Sequence, residues 1–563
     1  MITSCHPSIG SAMYQYNEED QRFLQQRCDQ FREQTIQFLA GDLPAEEFQQ
    51  LRLRNGLYVQ RLAPMLRIAI PYGEVSAKQL RALAAITRDF DKGYAHFTTR
   101  QNIQLNWPKI ESMPDLLGRL AEVNMHAIQT SGSCIRNITS DQFAGVAIDE
   151  IADPRPWAER LRQWSTLHPE FNWLPRKFKI AITGAQSDRA AIAVHDIGLR
   201  LQSDDAGLYF QVWVGGGLGR TPLIGVCINS RLEPKHLITY LTAILRVYNQ
   251  FGRRDNKYKA RIKILVKAMG KLDFEAAVNN AWLALKDGPE TIDEDSIAQF
   301  SAHFSRPNYL TLTDQTAPSE IIATDQPFER WRAQNVLPHQ QPGYAAVHIS
   351  LKRTGVAPGD VSDRDLEALA DLAERYSFGE ARVTHEQNIV LADVEQTKLP
   401  DLFEALGRHN LDRANRGLAT DMICCPGGDY CSLANAKSIP VAAAIEETFR
   451  DAEAEHQLGA LTINISGCMN ACGHHHVGNI GILGVDKKGE EFYQLSIGGE
   501  PGEDARIGRI LGPSVARAEI HWVVQRLTQC YQAHRSGEET FNQTLDRIGI
   551  EVFKSAAYEG LTS

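Results

Sequence analysis

The stretch YAHFTTRQNIQLNW at 94–107 occurs a second time as ARVTHEQNIVLAD at 381–393. Both copies contain Gln-Asn-Ile, at 101–103 and 387–389, an offset of 387 − 101 = 286 residues. Each copy follows an alternating apolar segment and then a helical pattern: MLRIAIP and SAKQLRALAAITRDF in the first, AAVHISL and SDRDLEALADLAERY in the second. Strand, helix and strand repeated in one order predict a duplicated α+β unit.

The duplication continues downstream of these two stretches. FKIAITGA at 178–185 matches LTINISGC at 461–468, and FQVWVGG at 210–216 matches YQLSIGG at 493–499, both at an offset of 283. We interpret the chain as two homologous halves, packed about a pseudo-two-fold axis with one site between them. The predicted units are a helical extension at 1–60, halves at about 61–300 and 341–563, and a proline-containing linker at 301–340.

Composition excludes several classes of protein. The chain has 563 residues and a net charge of −10, from 59 basic and 69 acidic side chains, which argues against general nucleic-acid binding. No apolar run approaches the roughly 20 residues that span a bilayer. The N-terminus lacks the basic and apolar segments of a signal peptide. We therefore expect a cytoplasmic protein that binds neither nucleic acid nor membrane.

Five of the ten cysteines lie between residues 424 and 472. Cys425 and Cys431 form C-x5-C, and Cys468 and Cys472 form C-x3-C, in a glycine-rich turn after an alternating strand. Buried structural cysteine is a sufficient explanation for isolated positions but a poor one for two spaced pairs. Zinc sites usually use C-x2–4-C spacing, so a [4Fe–4S] cluster held by four thiolates fits better than zinc.

Basic side chains alternate with apolar ones in the first half. Around Phe178, Lys177 and Lys179 should share one strand face, about 6.6 Å apart along the strand. Arg67 should point away from the apolar face of its strand, and His96, Thr98 and Arg100 are expected to share another face. A solvated sheet surface is the alternative explanation for each of these patterns.

Together, Ser466-Gly467-Cys468-x3-Cys472 and Cys425-x5-Cys431 resemble the signature of the siroheme sulfite and nitrite reductases. The resemblance extends over nearly the whole chain, including its two halves. It implies an α+β fold in which each half is a ferredoxin-like half-domain followed by a siroheme and iron–sulfur half-domain. The ferredoxin-like parts are expected at 61–125 and 341–412, and the siroheme and cluster parts at 126–300 and 413–563.

The resemblance also implies roles for individual residues. The implied cluster ligands are Cys425, Cys431, Cys468 and Cys472, with Cys472 also the axial ligand of siroheme. The implied substrate-binding residues are Arg67, Arg136, Lys177 and Lys179, and the implied siroheme contacts are Thr98, Arg100, Gln104 and Asn137. Two positions depart from the family pattern: Asn479 replaces a usual acidic residue, and His96 stands where some relatives have arginine.

The activity that the resemblance implies is assimilatory sulfite reduction, the six-electron conversion of sulfite to sulfide. Nitrite reduction on the same scaffold is the close alternative, although nitrite-preferring relatives typically have asparagine at the position of Lys179. A non-catalytic iron–sulfur electron carrier is a further alternative, but a carrier needs no anion site. The roles of His474–His476 and of the basic run at 252–263 stay open.

An external protein should donate the electrons, because the sequence contains no nicotinamide or flavin site. The glycine-rich run at 215–219 lacks the full dinucleotide-binding pattern and belongs to the repeat. The family uses either a flavoprotein subunit fed by NADPH or a ferredoxin. Because ferredoxins are acidic, the net negative charge of this chain weakly favours the flavoprotein.

Overall fold

The computed structural model describes residues 13–60, 62–314 and 326–560. The helical extension comprises α1 (Glu18–Ala40) and α2 (Ala45–Arg54). The first ferredoxin-like unit comprises β1 (Leu57–Val59), β2 (Pro64–Ile68), β3 (Glu74–Ser76), α3 (Ala77–Phe90), β4 (Tyr94–Phe97), β5 (Ile103–Leu105) and α4 (Met113–Ala121). The helix α3 forms where the sequence predicts it, because Ser76 and Gln79 make a capping box and its apolar face, including Leu80 and Leu83, is buried.

A mixed sheet with helices follows in the first half. Its elements are β6 (Thr139–Ser140), α5 (Arg155–Ser165), β7 (Ile180–Thr183), β8 (Ile197–Asp204), β9 (Gly207–Val214), β10 (Val226–Leu232), α6 (Leu237–Phe251), α7 (Ile262–Met269), α8 (Lys271–Leu283) and α9 (Glu294–Ala302). The strand order is β10-β9-β8-β7-β6. The strands β6, β7 and β8 are parallel, whereas β8, β9 and β10 are antiparallel.

The second half repeats this plan. Its ferredoxin-like elements are α10 (Gln326–Asn335), β11 (Val336–Pro338), β12 (Tyr344–Ile349), β13 (Asp360–Ser362), α11 (Asp363–Tyr376), β14 (Glu380–Val383), β15 (Ile389–Glu395) and α12 (Leu399–Gly407). The stretch 301–340, whose prolines predict a linker, thus contains a helix and a strand. Because β11 pairs with β12, the end of this stretch belongs to the second ferredoxin-like sheet.

The last unit contains the two cysteine pairs. Its elements are β16 (Ile423–Cys424), α13 (Ile439–Glu447), α14 (Ala452–Leu458), β17 (Ile463–Ser466), β18 (Ile480–Lys487), β19 (Glu490–Ile497), β20 (Arg509–Ile510), β21 (Val515–Ala516), α15 (Ile520–His534), α16 (Phe541–Ile548) and α17 (Ile550–Tyr558). Its strands β16, β17 and β18 are parallel and β19 is antiparallel to β18, as in the first half. Within the described residues, no helix is both long and apolar enough to cross a membrane.

Each ferredoxin-like sheet is completed by a strand from the other half. The strand β13 pairs with β4, and β3 pairs with β14, both antiparallel. The helices α3 and α11 bury their apolar faces in one shared core, which contains Leu80 and Leu83 of α3 with Leu366 and Leu369 of α11. The two predicted half-domains therefore form a single domain about a pseudo-two-fold axis, because neither sheet is complete without the other half.

The Gln-Asn-Ile stretch forms the same tight turn in both halves and connects them. Gln101 has a φ of 53° and Gln387 a φ of 65°, a left-handed conformation that is uncommon for residues other than glycine. The buried amide of Gln101 accepts from the Ser140 N–H at 3.0 Å and donates to the Ser140 carbonyl at 2.9 Å. It also donates to the carbonyl of Val383, in the other half, at 3.0 Å.

Substitution of the equivalent Gln387 should destabilise this junction. Its amide accepts from the Cys424 N–H at 2.9 Å and donates to the carbonyls of Cys424 and Phe97 at 3.1 and 2.9 Å. Gln387→Ala leaves these buried groups without partners, and we expect it to lower stability by about 2 kcal/mol or more. A lower apparent Tm by circular dichroism, with no change for the exposed control Gln49→Ala, is the expected result. Equal melting temperatures for the two variants would contradict it.

Candidate active site

The four predicted cluster ligands lie on two neighbouring loops. Cys425 and Cys431 follow β16, and Cys468 and Cys472 follow β17. Because β16 and β17 are adjacent and parallel, both loops leave the same edge of the sheet. The N–H of Gly467 donates to the Sγ of Cys425 at 3.2 Å, so the loops are in direct contact.

These thiols have the chemistry of metal ligands. All four cysteines are free. Burial and, to a smaller extent, the nearby Cys472 raise the pKa of Cys425 to about 12; burial also raises the pKa values of Cys431 and Cys468. Such thiols ionise when they bind a cation, so the donor set fits an iron–sulfur cluster. Among the described residues, no three His, Cys, Asp or Glu side chains are close enough to hold a single metal ion. This agrees with a cluster site, because four thiolates around a cluster are spaced more widely than four thiolates around one ion.

The first half has an ion pair where the second half has thiols. Ala191 and His474, 283 residues apart, both have left-handed backbone before a short 3-10 turn, so the two loops correspond. At this offset Arg189 is the counterpart of Cys472, because 472 − 283 = 189. Arg189 bonds Asp141 and Asp149 at 2.8 and 2.9 Å. Of these two corresponding loops, only the one after β17 carries a pair of cysteines, Cys468 and Cys472.

Lys177 and Lys179 line one cleft, as the predicted alternation requires, although they lie just before β7, which begins at Ile180. Phe178, between them, is fully buried on the opposite side. The cleft is open to solvent and is also lined by Asn470 and Ala471, which lie between Cys468 and Cys472 in sequence. Burial and neighbouring cations lower the pKa of Lys177 to about 8 and that of Lys179 well below its usual value.

A polar row crosses the first ferredoxin-like sheet toward the cysteine loop. Arg67, Gln104 and His96 are cross-strand neighbours on β2, β5 and β4, and Arg67 donates to the Gln104 amide oxygen at 3.2 Å. Arg67 lies close enough to Cys431 for its charge to oppose the rise in that thiol's pKa, whose main cause is burial. Thr99, in the turn after β4, donates to the carbonyl of Cys472 at 2.9 Å. The two halves therefore meet at the cysteine loop.

The expectation that His96, Thr98 and Arg100 share a strand face is wrong. The strand β4 ends at Phe97, and the chain then turns. The ring of His96 bonds Asp360 on β13 at 2.7 Å. The Thr98 hydroxyl instead accepts backbone N–H groups of the turn, including that of Arg100 at 3.3 Å. Strand alternation fails here because the tight turn reorients every side chain after Phe97.

The other predicted site residues have partners within the chain. The buried guanidinium of Arg100 donates to the Thr139 hydroxyl at 2.7 Å and the Asn137 carbonyl at 2.6 Å, and burial lowers its pKa to about 9. The Asn137 amide donates to the Ile70 carbonyl at 2.9 Å. Arg136 donates to the carbonyls of Thr130 and Gly132. These bonds fix the three side chains, none of which is among the residues that line the cleft of Lys177 and Lys179. Their contacts with a cofactor or substrate stay predictions.

The structure adds cleft residues that sequence reasoning left unassigned. The basic run at 252–263 contributes Lys257, Arg261 and Lys263 to the lining. The Nζ of Lys263 donates to three carbonyls of the loop 217–221, those of Gly217, Leu218 and Thr221. The glycine-rich loop is therefore a wall of the cleft. Arg176, Arg220 and His474 also line the cleft.

Comparisons with known proteins agree with this arrangement. The model "Nitrite and sulphite reductase 4Fe-4S domain" matches residues 131–284 and 419–562, and the "Nitrite/Sulfite reductase ferredoxin-like half domain" matches 60–123 and 339–409. The chain is 28% identical to sulfite reductase (ferredoxin) 1 of Mycolicibacterium paratuberculosis, over 85% of this chain and 81% of that one. It is 29% identical to ferredoxin–nitrite reductase of Synechococcus elongatus, over 84% of this chain and 87% of that one.

A solved structure shows the same likeness over a still larger part of the chain. The NirA protein of Mycobacterium tuberculosis superimposes with a TM-score of 0.75 and 26% identity, covering 91% of this chain and 92% of that one. The family models match both parts of both halves, in the order that the internal repeat predicts. The chain therefore belongs to the nitrite and sulfite reductase family, whose cofactors are siroheme and a [4Fe–4S] cluster.

Proposed function

We propose that this protein is an assimilatory sulfite reductase that converts sulfite to sulfide. The observation that carries the proposal is the cleft in which Lys177 and Lys179 face the loop of Cys468 and Cys472. Nitrite reduction is the second candidate, since both activities occur among the relatives. The cationic cleft argues against a simple electron carrier, because a carrier has no use for an anion site.

The cysteine loops hold the cofactors in this proposal. Cys425, Cys431, Cys468 and Cys472 would bind the cluster, and Cys472 would also hold the siroheme. Thr98, Arg100, Gln104 and Asn137 would contact the siroheme. When bound, siroheme and cluster supply an iron centre and the electrons. The protein supplies charge, orientation and protons.

Four basic side chains act on the substrate. Arg67, Arg136, Lys177 and Lys179 neutralise the oxygens of sulfite by charge-assisted hydrogen bonds. Each oxygen leaves as water and consumes two protons, which the Nζ groups of Lys177 and Lys179 donate directly or through water. The lowered pKa of Lys177, about 8, suits proton donation near neutral pH, because an acid works best when its pKa lies near the working pH.

A ferredoxin is the proposed electron donor. Several similar proteins are named as ferredoxin-dependent, which outweighs the weak preference for a flavoprotein drawn from net charge. The test mixes the purified holoprotein with reduced ferredoxin and either sulfite or nitrite, and measures sulfide and ammonia. With NADPH as the only other reductant, sulfide should form only when the donor protein is present. A sulfite turnover far below that of nitrite would make nitrite reductase the better assignment, and sulfide from NADPH and sulfite alone would refute an external donor.

Lys179→Asn should shift the preference toward nitrite. The substitution removes one positive charge beside the substrate, and the larger, more highly charged sulfite should lose more binding energy than nitrite does. We expect the ratio of kcat/KM for sulfite to that for nitrite to fall by about tenfold or more. An unaltered ratio would show that Lys179 does not select the substrate.

A further inference from the structure

A second cavity lies in the second half of the chain, apart from the cationic cleft. Its volume is about 430 Å³, within the range of about 300 to 1,000 Å³ that small-molecule sites occupy. The segments around it are α10, α12, the loop at 412–415, the end of α13 and the start of α14. Among the described residues, none lines both this cavity and the cleft. The proposed function therefore assigns no role to this space.

The charges around the second cavity are of both signs. Three arginines and four carboxylates line it, whereas no acidic residue is among those that line the cleft. Two of the arginines are engaged near the surface, because Arg450 pairs with Glu447 and Arg330 pairs with Glu453. A lining of nearly balanced charge favours a ligand that carries both signs over a simple anion such as the proposed substrate.

Thr420 brings two oxygen acceptors of the cavity lining together. Its N–H donates to Oε1 of Glu455 at 2.7 Å, and its hydroxyl accepts from Nδ2 of Asn415 at 3.0 Å. Asn415 is 1% exposed and Glu455 4%. The Oδ1 of Asn415 is buried and has no hydrogen-bond partner among the described residues. A buried acceptor without a donor, close to a carboxylate, fits an ammonium group, which has three N–H donors and one positive charge.

Arg413 supplies a held guanidinium in the same lining. Its Nη1 donates to the carbonyl of Lys352 at 2.8 Å and to Oε1 of Glu446 at 2.7 Å. No described group bonds its Nη2, so N–H groups remain for a carboxylate. Arg413 lies close enough to Glu455 for its charge to oppose the rise in that carboxyl's pKa, whose main cause is burial. A donor and an acceptor of opposite charge thus lie near each other at one cavity.

We propose that the second cavity binds an α-amino acid with an apolar side chain. The ammonium group is bound by Asn415 Oδ1 and Glu455, and the carboxylate by Arg413. The side chain lies against the rings of Phe403 and Phe449, which also line the cavity. A simple anion would leave the Asn415 oxygen without a donor, and a simple amine would leave the N–H groups of Arg413 without an acceptor.

The test is isothermal titration calorimetry of the purified holoprotein with L-leucine, L-methionine and L-phenylalanine. At least one of them should bind at a single site with a Kd of about 1 mM or tighter. Two analogues of the amino acid that binds best separate its charges, one without the ammonium group and one without the carboxylate; for leucine these are 4-methylpentanoate and 3-methylbutylamine. Each analogue should bind about tenfold or more weakly, because it loses hydrogen bonds to a charged group.

Glu455→Gln tests the assigned residues. The substitution removes the negative charge but keeps an oxygen that can accept from the Thr420 N–H. The Kd for the amino acid should rise about tenfold or more, since hydrogen bonds to charged groups are worth that much. Glu404→Gln is the matched control, because Glu404 is exposed on α12, pairs with Arg408 and does not line the cavity. Its Kd should equal that of the wild type.

Absence of saturable binding for all three amino acids would overturn the proposal, and so would equal affinities in Glu455→Gln and the wild type. An analogue that binds as tightly as the amino acid would also overturn it, because the ligand would then need only one charge. If Glu455→Gln does not fold, Ala452→Phe decides. Ala452 is exposed in the first turn of α14 and lines the cavity, so the added ring should fill the space and abolish binding. Unchanged affinity in this variant would refute the site.

Discussion

Replacing Cys472 with serine should abolish sulfite reduction and remove the siroheme absorption bands. Cys472 lies on a loop of the second half that contacts the first half, because its carbonyl accepts a hydrogen bond from the hydroxyl of Thr99 at 2.9 Å. It is the implied bridge between cluster and siroheme, and a serine hydroxyl ionises far less readily than a thiol and binds iron poorly. We expect activity below about one-thousandth of the wild type and loss of most of the cluster absorption as well.

The matched control is Cys227→Ser. Cys227 is a lone, half-buried free cysteine on β10, outside both cysteine pairs. The Cys227→Ser protein should retain normal absorption spectra and normal sulfite turnover. Iron, acid-labile sulfide and siroheme are quantified for both purified variants. A Cys472→Ser protein with a normal siroheme spectrum and full turnover would show that this cysteine is not the axial ligand.

Lys179→Met should retain both cofactors and lower the turnover of sulfite by about 100-fold or more, a typical loss for a positioned proton donor or charge. The methionine side chain is similar in size, and the backbone bond from residue 179 to Asp196 does not depend on the side chain. The expected defect is therefore in kcat with normal absorption spectra.

An exposed lysine on the same half is the control for this substitution. Lys235 pairs with Glu233 at the surface, and Lys235→Met should leave kcat and KM unchanged. Steady-state kinetics with a chemical reductant measure kcat and KM for sulfite without any contribution from the donor protein. Unchanged kinetics in Lys179→Met would remove this lysine from the proposed proton-donating pair.

Local patterns in the sequence were sufficient to predict much of the architecture. The repeats at offsets of 286 and 283 predicted two halves with the same elements, and the two sheets indeed have the same mixed topology. The alternation around Phe178 correctly predicted that Lys177 and Lys179 share a side, because strand periodicity is a local property of the backbone. The same reasoning failed two residues after His96, where a tight turn ends the alternation.

Contacts between distant segments could not be read from any local pattern. The partner of His96 is Asp360, on a strand that completes the sheet of the other half. The basic run at 252–263 was visible in the sequence, but its position on the cleft depends on Arg261 meeting Asp196, 65 residues away. Such pairs form only when segments distant in sequence pack together, which sequence periodicity does not encode.

The sequence by itself determined the duplication, the spacing of the four cysteines and the common side to which the two lysines point, because each depends on local repeats and backbone geometry. Only the tertiary structure decided that each half contributes a strand to the sheet of the other. It also decided that Gln101 and Gln387 each donate a hydrogen bond to a backbone carbonyl of the opposite half. It also decided that Arg189 and Asp141 form an ion pair in the half that lacks the two cysteine pairs. The physical reason is that buried polar groups must find partners, and those partners are brought close only when the two halves pack together.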